Sequence, residues 1–318
     1  MLNAFVMRDG RLEQIVVDTF EDLNEAALWV DMVDPSDEER IWVETAYRFE
    51  LPAEEEINDI EASARFYEDE DGIHIHSFFL HNFEEQTQNI TVAFNLHKGR
   101  LFTIHEEDLA AFRLFRLRAR RIPDFIKDAT DIMLTLYETE VELIADELEQ
   151  IYAALEGVSQ SVLSETIADS DMEDMLAHIA SQEDLNGKAR LSLMDIRRAL
   201  SFLLRRGRLL DTERTNDVRE ILRDIESLTS HTSFLFDKVN FLMDAAMGFI
   251  NLAQNKIIKI FSIAAVVFLP PTLVASIYGM NFQFLPELQW EFGYPLALCL
   301  MILSGLAPYW YFKRKGWL

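Results

Sequence analysis

The sequence predicts an α+β cytoplasmic domain followed by a long α-helical stalk and two C-terminal transmembrane helices. Three observations predict it: two uncharged apolar stretches of membrane-spanning length near the C-terminal end, a seam of apolar residues without Gly or Pro leading into the first of them, and short β-rich runs parted by Asp-Gly and Lys-Gly turns before residue 107.

In the first 122 residues, Phe5-Val6-Met7 and Gln14-Ile15-Val16-Val17 flank Asp9-Gly10, and Leu28 to Val33 reads as a further strand. Ser36 caps a helix with Glu39 three residues on, the reciprocal pair of a capping box. Arg65-Phe66-Tyr67 and Ile73 to Leu80 surround Asp71-Gly72, while Ile90 to Phe94 and Leu101 to Ile104 surround Lys98-Gly99. His74 and His76 share one face of their strand and could ligate a metal, but no third ligand at fixed spacing accompanies them, so a half-exposed strand face with two ordinary histidines is expected.

Residues 123–210 read as acidic coiled-coil helices. Tyr137, Val141, Ile144, Leu148, Ile151 and Leu155 alternate steps of four and three, and the other faces carry Glu138, Glu140, Glu142, Asp146, Glu147 and Glu149. Met172 to about Arg206 has the length of an antiparallel partner, interrupted at most by Gly187. The stalk, 211–259, keeps the same alternation through Ile221, Ile225, Leu228, Thr232, Leu235, Val239, Leu242, Ala246 and Phe249, with no loop signal before the membrane. A single helix of sixty-odd residues would reach on the order of 100 Å at about 1.5 Å per residue.

The first span, 260–280, has no ionisable group except Tyr278 and approaches the roughly 30 Å of a bilayer's hydrocarbon core. A loop, 281–293, separates it from the second span, 294–312, and a basic tail, 313–318, follows. Lys256 and Lys259 precede the hairpin, Lys313, Arg314 and Lys315 follow it, and the loop holds only Glu287 and Glu291. Cations are retained on the cytoplasmic side, so both termini are expected there and the acidic mouth outside.

The formal charge of the chain is −26; residues 255–318 hold five cations against two acids, so the preceding 254 residues carry −29. That surface repels nucleic acid and attracts counter-cations. Cys299, inside the second span, is the single cysteine, which excludes an intrachain disulfide and a Cys-rich zinc site. The first thirty residues show no signal peptide. No nucleotide-binding motif or catalytic triad stands out, so neither ATP, an organic cofactor nor an enzyme is expected.

Stepping by four and three from Asp244 picks out Gly248, Asn251, Asn255, Ile258, Ser262, Ala265, Leu269, Thr272 and Ser276, most of them small or neutral-polar. Between them stand large apolar residues such as Phe261, Phe268 and Leu273. Such a stripe suits either close helix packing or a water path shared by several copies. Pro270-Pro271 removes the donors for Val266 and Val267 carbonyls, a break tolerated where packing or a wet cavity satisfies them.

Gly279-Met280-Asn281 at the outer end of the first span, the preceding Phe268-Leu269-Pro270-Pro271-Thr272, the following Leu285-Pro286-Glu287-Leu288 and the tail Tyr311 to Leu318 together resemble the CorA magnesium transporter family. Asp59 to Phe66 and Ala246 to Asn251 resemble its enterobacterial branch. The resemblance implies a funnel-shaped homopentameric channel in a bacterial inner membrane, with the first span lining the pore and Mg2+, together with Co2+ and Ni2+, as the ions carried. By position it implies Gly279, Met280 and Asn281 as selectivity filter, and Asn255, Ile258, Leu269 and Thr272 as pore-lining, to which the stripe adds Ser262, Ala265 and Ser276. Glu287 and Glu291 would concentrate cations at the mouth. Glu84 and Glu220 fall near regulatory magnesium positions, and Asp217 or Asp224 could serve instead. A zinc transporter of the same superfamily and a membrane-anchored divalent-cation sensor that conducts nothing are the alternative readings; Met280 favours magnesium over zinc.

Overall fold

Two-residue turns with both central residues left-handed join antiparallel strands whose twist they match. Asp9 and Gly10 adopt φ 49° and 73°, Lys98 and Gly99 φ 47° and 77°, so the turns read from the sequence are formed as that chemistry requires. The computed structural model describes residues 1–23, 25–53, 61, 65–83, 86–163, 169–206, 210–281 and 290–317. Its strands are β1 (Leu2–Arg8), β2 (Arg11–Val17), β3 (Ala27–Val33), β4 (Phe66–Glu68), β5 (Ile73–Phe83), β6 (Gln86–His97) and β7 (Arg100–His105). They form one sheet in the order β2-β1-β3-β7-β6-β5-β4, antiparallel except for β3 beside β7. The connection at Asp71-Gly72 is longer than a two-residue hairpin: Glu68 pairs with Ile73, and Asp69 closes the loop by accepting the Asp71 and Gly72 N–H groups at 2.8 and 3.1 Å.

Helix α1 (Asp37–Tyr47) carries the expected capping box, Ser36 with Glu39, and covers one face of the sheet. There Val43, Tyr47, Phe49 and Leu51 bury with Leu2, Ala4, Val30, Met32 and Phe102. The opposite face meets α2 (Ala110–Arg121) and α3 (Ala129–Leu163): Trp29 stacks on Phe5 at 4.2 Å and meets Phe115 edge-on at 5.4 Å, while Tyr137 lies 5.0 Å from Phe94. The whole predicted α3 seam, Tyr137 to Leu155, is buried.

Helix α4 (Asp169–Arg205) and the 67-residue α5 (Thr212–Tyr278) follow. On α3 and α5, Asp131 bonds Arg214 at 2.7 Å, Tyr152 bonds His231 at 3.0 Å and Glu156 pairs with Lys238 at 3.3 Å, so the two run parallel. Asn186 on α4 donates to the Thr232 carbonyl, and Asp195 lies on the sheet side near Tyr137, which makes α4 antiparallel to both. The α5 seam is buried at Ile221, Ile225, Thr232, Leu235, Val239, Leu242 and Ala246, with Leu228 half-buried. Phe249, which the alternation includes, is 40% exposed: the apolar repeat outlasts the helices that cover it, and the chain divides there into two compact units, Met1–Met243 and Asp244–Leu318.

One further feature explains several buried polar residues. Among the described residues, β4 pairs with β5 only as far as Ile75, and from His76 onward that edge of β5 has no strand partner. Side chains take its place. Arg65 donates to the His76 carbonyl, Asp195 accepts the Phe78 N–H at 2.9 Å, Ser192 donates to the Phe78 carbonyl at 2.7 Å, and Glu140 accepts the Leu80 N–H at 2.6 Å. Arg65 and Asp195 also pair at 2.8 Å, both nearly inaccessible. Burial pushes Asp195 up and Arg65 down despite their pairing, so the pair serves chiefly to satisfy the strand edge and to leave neither charge alone.

Candidate functional site

In the second unit, α5 continues to Tyr278 and α6 spans Gly293–Arg314. These two helices are long and apolar enough to cross a membrane, and only 6% of the most apolar stretch of each is buried within the chain. A core helix of a soluble domain would be mostly covered. What little α5 buries here lies on one face: Ile263 is buried, and Lys259, Val267, Pro270, Val274 and Tyr278 are half-buried. Gly305 of α6 approaches that face so closely that an added Cβ would stand 3.2 Å from Pro271 Cγ and 3.6 Å from the Val267 carbonyl oxygen. One of the two carbonyls stripped by the prolines therefore lies against α6.

The small-polar stripe is on the other side. At about 100° per residue, Asn251, Asn255, Ile258, Ser262, Ala265, Leu269, Thr272 and Ser276 centre roughly opposite the face that α6 touches, and every one of them is exposed. Ile258 and Leu269, at 61% and 65%, would form apolar constrictions if copies met around an axis. The Thr272 hydroxyl donates to the Phe268 carbonyl at 2.7 Å, which leaves its oxygen lone pairs for a donor on the open side.

At the outer end, Gly279 N–H donates to the Ala275 carbonyl at 2.9 Å and Met280 N–H to Ile277 at 3.3 Å, and Asn281 follows exposed. Gly279 does not use the left-handed conformation that would let the chain turn sharply; among the described glycines only Gly10, Gly72, Gly99 and Gly316 have positive φ. Its lack of a Cβ matters through contact instead, because that atom would stand 3.1 Å from the Ala275 oxygen. Glu291 is exposed just before α6, and Glu287 lies outside the described residues. At the other end, Gly316 at φ 70° turns the chain so that Trp317 stacks on Phe312 and lies under the Lys259 ammonium at 5.7 Å, tying the basic tail to α5.

In the first unit, three of the four acidic residues singled out in the sequence come together. Asp217, Glu220 and Asp224, at i, i+3 and i+7 on α5, line a cleft of about 420 Å³ whose other wall is α3 with Asp131, Thr135 and Glu138. Glu142 continues that wall beside Asp224. Lys127 and Arg214 close one end, held by Glu213, Asp128 and Asp131. Arg118 of α2 reaches Glu142 at 3.1 Å on the α3 side, and the remaining carboxylates crowd one another. Burial first, then Glu142, Asp217 and Glu220, raise the Glu138 carboxyl above its usual range; burial, then Glu213 and Glu220, raise Asp217. Among the described residues no three carboxylates or imidazoles are placed to hold a metal ion within one chain. Glu84, the fourth, lies outside the described residues, as do Asp59, Ile60 and Ala62 to Ala64 of the upstream segment. Sequence reasoning listed Glu138 and Glu142 only as an acidic helix face; the parallel pairing of α3 with α5, which a single helix does not announce, makes them a wall of the cleft.

His74 and His76 are buried rather than half-exposed, because the sheet is covered there: His74 stacks on Tyr67 at 4.5 Å and bonds Asn95 and Asp69 at 2.7 and 3.0 Å.

A large acidic α+β unit joined through one long helix to a pair of C-terminal apolar helices defines a two-span membrane protein. The chain belongs to the CorA-like Mg2+ transporter protein family, whose model matches residues 24–314. It is 53% identical over 319 residues to the magnesium transport protein CorA of Pectobacterium atrosepticum, and equally to that of Escherichia coli, with 100% of both chains covered in each case. Among solved structures, the complete CorA magnesium transporter of Methanocaldococcus jannaschii superposes with a TM-score of 0.77 over 100% of this chain and 99% of that one, at 22% identity. The full-length CmaX protein does so with 0.70 at 15% identity, over 100% and 98%. The cytoplasmic domain of ZntB from Vibrio parahaemolyticus matches 78% of this chain and 97% of its own with 0.59 at 14% identity. At these identities the structural likeness is one of fold.

Proposed function

We propose that the chain assembles as a homopentamer in a bacterial inner membrane, both termini cytoplasmic, and carries Mg2+ inward, with Co2+ and Ni2+ as further ions. Internal Mg2+ closes it. The observation that carries this reading is the exposed small-polar stripe of α5, opposite the face that α6 touches and ending at Gly279-Met280-Asn281. The naming of the full-length relatives as magnesium transport proteins supports the choice of ion.

Magnesium gives up water reluctantly and keeps a near-octahedral shell, so a filter demanding full dehydration would be slow. A ring of neutral Asn281 carboxamides accepts hydrogen bonds from those waters without holding the ion too tightly to leave. Glu287 and Glu291 raise cation concentration at the mouth, and an inward-negative potential adds roughly 4.6 kcal/mol per 100 mV for a divalent ion. Ile258 and Leu269 form the apolar rings that dry when the pore shuts. For control, Asp217, Glu220 and Asp224 of one subunit, with Glu84 of its neighbour, share an internal magnesium ion; when it leaves, like-charge repulsion parts the subunits and the rings wet.

Purified protein in proteoliposomes tests the transport reading. Mg2+ uptake should follow an imposed inside-negative potential and persist without a proton gradient or nucleotide. Zn2+ uptake that requires a proton gradient, without Mg2+ uptake, would replace this reading with zinc transport, and binding without flux would replace it with a sensor.

A further inference from the structure

Glu140 takes part in neither the stripe nor the cleft. It is 1% exposed on the sheet side of α3, and its Oε1 accepts the Leu80 N–H at 2.6 Å, beyond the stretch of β5 that pairs with β4. A protonated carboxyl can accept that N–H as a carboxylate does, though less strongly, and only the carboxylate must lose the hydration of a charge.

Among the described residues, burial and the Leu80 N–H are what act on Glu140, with no cation among them. On β5, His81 follows Leu80, and Asn82 donates to Glu147, two turns along α3. On α4, Asp195 is committed to Arg65, and Lys188 to Asp184 at 2.5 Å. Arg118 of α2 reaches Glu142 at 3.1 Å. On the central strands, Asp31 of β3 and His105 of β7 pair with each other at 2.9 Å, and Arg116 of α2 joins them at 3.1 Å. Asp217 and Glu220 of α5 face Glu138 across the cleft. Burial alone lifts the Glu140 proton affinity, opposed only by the Leu80 N–H, to a pKa of about 8.

Two residues to either side, Glu138 and Glu142 point into the cleft, since two helical positions turn a side chain to the far side of α3. The same helix therefore carries a buried carboxyl on the sheet and a wall of the acidic cleft on its other face. We propose that Glu140 is a proton-binding site that seats α3 against β5 when protonated and loosens it when the proton leaves, so that cytoplasmic pH sets the spacing of the cleft. The link to the cleft rests on the function proposed above; the proton site does not.

The sign follows from linkage. The folded-state proton affinity lies above that of an unfolded glutamate, so the stabilisation is complete below the unfolded value and is lost as pH rises toward about 8. For the full chain in detergent, thermal unfolding from about pH 6 to about pH 9 should show the wild type losing stability with rising pH. Glu140→Gln, which keeps an acceptor for Leu80 and cannot ionise, should melt at least about 5 °C higher near pH 8 and lack that part of the slope. Glu140→Ala should melt lower at every pH, because the Leu80 N–H is left unpaired. Infrared spectra at neutral pH should show a protonated-carboxyl C=O band in the wild type that Glu140→Gln lacks. Equal pH slopes in wild type and Glu140→Gln, or no difference in that band, would overturn the proton site. If the site holds, the shift with internal pH in the internal Mg2+ that half-inhibits current should be at least about threefold larger in the wild type than in Glu140→Gln, where only the cleft's own carboxyls titrate; identical shifts in both would overturn the link to the cleft. Absence of wild-type Mg2+ flux would count against the transport reading and leave the melting and infrared arms to judge the proton site.

Discussion

Replacing Asn281 by alanine is expected to cut Mg2+ flux at least tenfold while the assembly survives. Asn281 is exposed at the end of the first span. Its amide oxygen is the group proposed to take hydrogen bonds from the ion's inner waters, and alanine offers no acceptor at that level. In the proposed pentamer one substitution removes every amide from the constriction at once. Flux should be followed with a magnesium dye inside proteoliposomes under a fixed potential, with mass in detergent as the control for assembly. Asn281→Asp should behave differently: a ring of carboxylates binds the divalent ion strongly and slows its release, so block at low concentration is expected rather than plain loss.

The second large effect concerns control. Neutralising the cleft with Asp217→Asn, Glu220→Gln and Asp224→Asn together should raise the internal Mg2+ needed for half-inhibition more than tenfold, or abolish inhibition, with the open-state flux retained. The three side chains line one cleft, and the like-charge contribution to the raised Glu138 and Asp217 shows an excess of negative charge there. Burial is the leading cause of both shifts, like charge the next, so acidification should protonate these two carboxyls before ordinary surface ones and weaken cation binding as pH falls. Patch currents against stepped internal Mg2+ give the readout. Unchanged inhibition in the triple variant would remove these residues from the control site while leaving conduction untouched.

Much of the fold was legible because local chemistry dictates it. Asp9-Gly10 and Lys98-Gly99 need left-handed residues and get them, Ser36 with Glu39 forms its capping box, and the apolar steps from Tyr137 to Leu155 bury as one seam. The stripe from Asn251 to Ser276 was likewise readable, since a single helix fixes which residues share a face. Other features depend on pairings distant in the chain. Nothing in the vicinity of Leu80 says that Glu140, sixty residues on, will satisfy its N–H, and nothing near Phe78 announces Asp195, 117 residues away. The cleft likewise needs α3 and α5 side by side, which a long antiparallel α4 brings about. Phe249 shows the converse limit: a periodic apolar residue is buried only where a neighbour exists to cover it.

The central claim is that the stripe of the first span faces water shared by several copies. Cys299 is the single cysteine, so a Cys299→Ser background admits one reporter thiol at a time. With cysteine placed at Ala265, Thr272 or Ser276, a charged, membrane-impermeant thiol reagent should block Mg2+ flux, whereas at Phe268 or Leu273 it should leave flux intact. Block at the bulky positions with none at the stripe would contradict the account.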